Sequence, residues 1–126
     1  MNCHISRAED VRELFVDRFW FGCEADDPST KLAFDRGVNP FGAVLQTVFS
    51  SDIGHWDVPD MREVLGEAYE LVERGWIDEE QFHDFTFRNV VRLHTGGNPD
   101  FFEGTTVSSE ARRVIEAETA QEVAGS

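Results

Sequence analysis

Two apolar runs that do not alternate constrain this chain most. Phe19-Trp20-Phe21-Gly22-Cys23 and Val48-Phe49-Ser50 lack the every-second-residue polarity of a strand with one wet face, so both read as strands covered on both faces, as in a parallel sheet. Parallel strands need a crossover, and residues 27–37 have the form of one. Asp27-Pro28 looks like an N-cap with proline at the first helical position, and Gly37 is a stop. Asn39-Pro40 then turns the chain into Phe41-Gly42-Ala43-Val44-Leu45 and the second strand, completing one βαβ unit.

The flanking helices follow from periodicity and caps. Ser6 and Glu9 have the spacing of a capping box, and Ala8, Val11, Leu14 and Phe15 recur at helical intervals, which predicts a helix over 7–17. Met61, Val64, Leu65, Ala68, Leu71 and Val72 keep the i, i+3, i+4, i+7 pattern, with Arg74-Gly75 as the end. Asp78 with Gln81 repeats the capping box, Ile77 can staple onto Phe82, and the next helix carries Phe82 and Phe85 inward. Asn89 falls on that buried stripe. A polar group there is costly, so the expectation is a break near Phe87-Arg88, with Asn89 capping a short turn through Leu93 that ends at Gly96-Gly97-Asn98-Pro99. Phe101 and Phe102 form an anchor, and the alanine- and glutamate-rich tail reads as a frayed surface helix or a disordered segment.

At 126 residues with 40% hydrophobic content, the chain is one domain's worth of sequence with enough apolar material for a core. Its 25 acidic against 11 basic residues, formally −14, repel phosphate backbones and anionic lipid, so neither nucleic acid nor a membrane is an expected partner. Cys3 and Cys23 have no zinc-site or CxxC spacing and read as reduced thiols. No apolar run reaches the ~20 residues of a membrane span and Met1-Asn2-Cys3-His4 begins no signal peptide, so the expected compartment is the cytoplasm.

The chemistry-bearing residues gather where the strands end. Asp52, His55, Asp57 and Asp60 follow the second strand, while Glu24, Asp26 and Asp27 follow the first. In parallel βαβ architecture both groups emerge at one sheet edge, the usual place for α/β active sites. An acidic mouth with one imidazole can bind a divalent cation or move protons. Asp57 and Asp60 read first as helix N-terminal residues favoured by the macrodipole, and Asp26 and Asp27 as turn and cap residues. Glu24 is open to either role, and His4, His83 and His94 read as surface or capping residues. The sequence contains no GxGxxG, P-loop, GxSxG, HExxH or EF-hand pattern.

Phe49-Ser50-Ser51-Asp52-Ile53-Gly54-His55 resembles the last-strand motif, of Ser-Asp-x-Pro-His type, of the amidohydrolase superfamily in its amidohydrolase 2 branch. That branch holds metal-dependent hydrolases and nonoxidative decarboxylases. Asn89-Val90-Val91-Arg92-Leu93 is similar to the family's closing Asn-Ala-x-Arg-Leu helix, and order and spacing agree over residues 12–95. The resemblance implies an α/β fold: the carboxyl-terminal portion of a (β/α)8 TIM-type barrel, with two parallel strands and a helix-rich remainder. Residues 1–104 would be the partial barrel, comprising the last two βα units and closing helices, and residues 105–126 the tail.

By the same resemblance Asp52 is the metal-binding or proton-shuttling aspartate, and His55 lines the same mouth as a second catalytic residue. Zinc or manganese would serve the complete enzyme. The family's His-x-His pair and mid-barrel histidines have no counterpart here, and Gly54 stands where the family has proline. One aspartate and one histidine are too few for a catalytic zinc, so the isolated chain is expected to bind no metal stably and to be inactive. Phe19, Phe21, Val48 and Phe49 would need cover, from an amino-terminal barrel portion or from a homo-oligomer. A second reading is a noncatalytic remnant that serves as an interaction or dimerisation module.

Overall fold

The computed structural model describes residues 5–125, with the side chains of residues 122 and 125 left aside. The chain is mixed α/β. A two-stranded parallel sheet pairs β1 (Trp20–Glu24) with β2 (Gln46–Ser50) in the register Trp20↔Gln46 to Glu24↔Ser50. Between them lie α2 (Thr30–Phe34) and a 3₁₀ turn at Pro40–Gly42. The strands and turn stand where the sequence placed them, while the crossover helix begins at Thr30 with Ser29 as its N-cap, two residues later than Asp27-Pro28 implied. Asp27 acts as a turn residue: its carboxylate accepts from the Ser29 N–H and hydroxyl at 2.8 Å each.

The amino-terminal helix, α1 (Ala8–Val16), begins one residue later than the Ser6–Glu9 box implies. Arg7 is the N-cap, so the third helical residue is Asp10, and its carboxylate accepts from the Ser6 and Arg7 N–H groups at 2.7 and 2.9 Å. Glu9 is left on the flank of the helix.

The helix after the second strand, α3 (Val64–Glu73), buries Val64, Ala68 and Leu71. Met61 and Leu65, expected in the core, are instead exposed, because the covered stripe is narrower than the apolar pattern and centres on residues 64, 68 and 71. Gly75, at φ +67°, ends the helix in the left-handed conformation that favours glycine. Its N–H bonds the Val72 carbonyl at 2.8 Å, and the Trp76 N–H bonds that of Leu71 at 2.9 Å. At α4 (Glu79–His83) the expected box is present: Asp78 N–H donates to Gln81 at 2.9 Å and Gln81 N–H to Asp78 at 2.8 Å.

The expected break before Asn89 does not occur. Helix α4, a π-helical turn at Asp84–Arg88 and α5 (Asn89–Thr95) run on without interruption. Asn89 is buried with helical φ/ψ, and its polar side chain is satisfied from a distance. Its Nδ2 donates to the Thr47 carbonyl of β2 at 2.7 Å, and its Oδ1 accepts from Arg92 at 2.8 Å. The amide thus ties α5 to the sheet. Replacing Asn89 with leucine leaves that carbonyl and Arg92 without their partner, a cost of about 1–3 kcal/mol. Urea unfolding followed by circular dichroism reads this directly, and a change below about 0.5 kcal/mol would show that the bond contributes nothing net.

The core joins Ala33, Phe34, Val64, Ala68, Leu71, Ile77 and Phe85. Phe49 meets Phe85 edge-on with ring centroids 5.7 Å apart, so one sheet face is roofed by the π turn and α5. By the two-residue alternation of a strand, Gln46, Val48 and Ser50 lie on the other face, and a Cβ added at the facing Gly22 would meet nothing within 4 Å. Of the four residues expected to need cover, Phe49 is covered from within, Phe21 packs on Phe15, and Phe19 is exposed.

The tail forms α6 (Ser108–Gly125). A disordered tail is thereby replaced by a surface helix, held because Ala111 is buried and Glu118 pairs with Arg92. Phe101 and Phe102 pack on His94, with Phe101 stacked at 4.2 Å. Cys23 is a free thiol, while Cys3 and His4 lie outside the described residues. No described helix is long and apolar enough to cross a membrane.

Candidate functional site

The chain leaves β2 at Ser50 and turns sharply. Asp52 adopts φ +49°, a left-handed conformation uncommon for any residue but glycine, and Gly54 follows at φ +102°. The His55 N–H closes the turn on the Asp52 carbonyl at 3.1 Å, and the Val58 N–H closes the next on His55 at 3.2 Å. A proline, locked near −65°, cannot take the backbone conformation of Gly54, so this loop differs locally from the Ser-Asp-x-Pro-His pattern it resembles.

The turn folds three side chains onto one another. His55 Nδ1 lies 2.9 Å from Asp57 Oδ1 and 3.1 Å from Asp52 Oδ2. Asp52 is the most sheltered of the three and His55 the most open, with 31% and 60% of their side-chain surface exposed. Asp57, expected as a helix N-terminal residue, is instead a partner of the imidazole, because α3 begins only at Val64. Asp60 is also outside the helix, and it clasps Arg62 through a two-pronged ion pair.

The other strand end comes to the same place. Glu24, Asp26, Asp52, Asp57 and Glu67 line one small cleft, so the convergence expected from parallel topology is present. Asp26 therefore faces the cleft, whereas the carboxylate of Asp27 is used within its own turn. Sequence reasoning missed Glu67, since nothing local tells which flank of α3 meets the end of β1. The nearness of Asp57 to His55 was the available signal for Asp57.

With Nδ1 donating to Asp57, a neutral His55 keeps Nε2 as an acceptor, and Nε2 has no hydrogen-bond partner among the described residues. The hydrogen bond that His55 donates to Asp57 raises the His55 pKa above its ordinary 6.5, with the charges of Asp52, Asp57 and Glu24 adding to it. Asp57 is lowered below 3.8, chiefly by the same bond. A raised histidine stabilises the fold fully below pH 6.5, and that contribution fades as pH climbs through its folded value. A lowered aspartate contributes above pH 3.8 and loses its contribution as pH falls through its folded value. The pair therefore stabilises the loop between pH 3.8 and 6.5. In an NMR titration the His55 midpoint is expected above 6.5, and Asp57→Asn should bring it down further than Asp52→Asn does. An unmoved midpoint in both variants would show that the contacts do not persist in solution.

Asp52, His55 and Asp57 each offer one donor atom, all within 4.8 Å of one another. In number they match the protein donors of a divalent-cation site. His55 Nδ1 is hydrogen-bonded to Asp57 and lies beside Asp52, so a cation bound here would displace its hydrogen, and no second imidazole is present in the cluster. As arranged, the cluster offers three donor atoms, one of them an imidazole nitrogen that a hydrogen bond to Asp57 now occupies. No protein-family model, curated protein or solved structure matches the chain.

Proposed function

We propose that this chain is the carboxyl-terminal segment of an amidohydrolase-like hydrolase or decarboxylase with a (β/α)8 barrel, and that Asp52 and His55 handle protons at its rim. One observation carries this reading. An aspartate lies 3.1 Å from an imidazole just past the carboxyl end of a parallel strand, and that aspartate shares a cleft with the end of the neighbouring strand. Active sites of parallel α/β proteins lie at that edge. The metal of such an enzyme, zinc or manganese, would be held chiefly by strands outside these 126 residues, with Asp52 as this segment's contribution.

Within this chain the chemistry is general acid–base catalysis. Asp57 holds the Nδ1 hydrogen of His55, with the Asp52 carboxylate beside it, which leaves Nε2 to take a proton from water or substrate and return it. The isolated segment is proposed to be inactive, because nothing in the cluster polarises a substrate.

The test is the reading frame upstream of Met1 and the protein it encodes. An in-frame extension with His-x-His after an apolar strand, whose product hydrolyses or decarboxylates a small carboxylated or amide substrate, supports the reading. A frame without such a strand favours the noncatalytic interaction module, a reading supported by the exposed apolar side chains of Phe15, Phe19 and Phe41.

A further inference from the structure

We propose that this chain pairs with a second copy of itself through a groove between α1 and the 3₁₀ turn. Val11, Arg12 and Phe15 form one wall, and Phe41, Ala43 and Leu45 the other, around about 270 Å³ of space. Val11, Phe15 and Phe41 are each near half exposed, and Phe15 stacks on exposed Phe19 at 5.2 Å. The apolar surface therefore extends to the start of β1, whose outer edge has no neighbouring strand among the described residues. The groove adjoins the residues that lead into the strands, while the acidic cleft follows their far ends, so this inference does not depend on the catalytic reading.

Charge selects the occupant. At −14 overall, two copies repel across most of their surfaces. Here the charged residue lining the groove is a cation, Arg12, and it forms no ion pair among the described residues. An apolar segment bearing a carboxylate fits this groove, its apolar face on the walls and its charge on Arg12. Helix α1 is such a segment. Val11 and Phe15, four residues apart, share its apolar stripe, and Glu9 flanks that stripe with no ion pair among the described residues. A two-fold axis lays the α1 helices antiparallel, each stripe in the other's groove, with Arg12 of each copy against Glu9 of the other. Such an isologous contact closes on itself as a dimer.

Sedimentation equilibrium over a concentration series tests this. The expected result is a monomer–dimer equilibrium that Val11→Asp and, independently, Phe15→Asp shift to monomer while the circular dichroism stays native. Arg12→Glu is expected to weaken the dimer about tenfold, and adding Glu9→Arg to restore it. Asp52→Asn should leave association unchanged, which separates this inference from the reading of the rim. A monomer at every concentration overturns the proposal, as does a dimer indifferent to Val11→Asp or a charge swap that fails to restore pairing. Binding of some other chain by a strictly monomeric protein overturns it equally.

Discussion

Replacing Phe85 with alanine is expected to lower the unfolding free energy by about 3–5 kcal/mol. The ring is fully buried at the π turn, set edge-on against Phe49 of β2 and within the same core as Val64, Leu71 and Ile77. It is therefore the side chain through which the helical layer grips the sheet. Deleting it removes the transfer contribution of the ring and leaves a cavity that a strand on one side and a helix on the other cannot readily collapse. A domain of this size has only about 5–15 kcal/mol of stability in total, so the variant should be largely unfolded at modest urea. Phe101→Ala is the control, since that ring is half exposed and stacks only on neighbours of its own segment. A Phe85→Ala loss no larger than that of Phe101→Ala would mean that the sheet is held by something else.

The second large effect concerns activity. In the complete enzyme proposed above, Asp52→Asn is expected to reduce turnover by about 10²–10⁴-fold, the range for losing a positioned general acid–base group. Asparagine suits the test because it shares the shape of aspartate and tolerates the left-handed backbone found at residue 52, so the turn should survive. The His55 imidazole would then lose one of its two carboxylates, and the pH–rate profile should move to lower pH as its pKa falls. Asp60→Asn, which alters a carboxylate held by Arg62 outside the cluster, serves as the comparison. Equal activity of the Asp52 variant and the parent, with an unmoved pH profile, would remove Asp52 from the chemistry.

Local signals in the sequence carried far for elements that stabilise themselves. Gly75 ends α3, the Asp78–Gln81 box starts α4, and the two unalternating runs are parallel strands with carboxylates at one edge, because each depends on residues within a few positions or on the obligatory topology of a crossover. Asn89 shows the opposite case. Read locally, a polar residue on an apolar stripe had to break its helix, yet its partner is the Thr47 carbonyl, 42 residues away. The same distance problem hid Glu67 and placed Met61 and Leu65 in a core that does not reach them.

The amino-acid order by itself therefore determined the βαβ unit, the helix end at Gly75, the cap at Asp78 and the placing of Asp52 and His55 after the second strand, since these follow from backbone rules acting over a few residues. Only the tertiary structure decided that Asp57 joins His55, that Glu67 enters the cleft of Asp52, that Asn89 stays helical and that the α1 groove stands open. Those outcomes depend on which surfaces meet across the fold, and a buried polar group or an apolar stripe has no settled meaning until its partner is in contact.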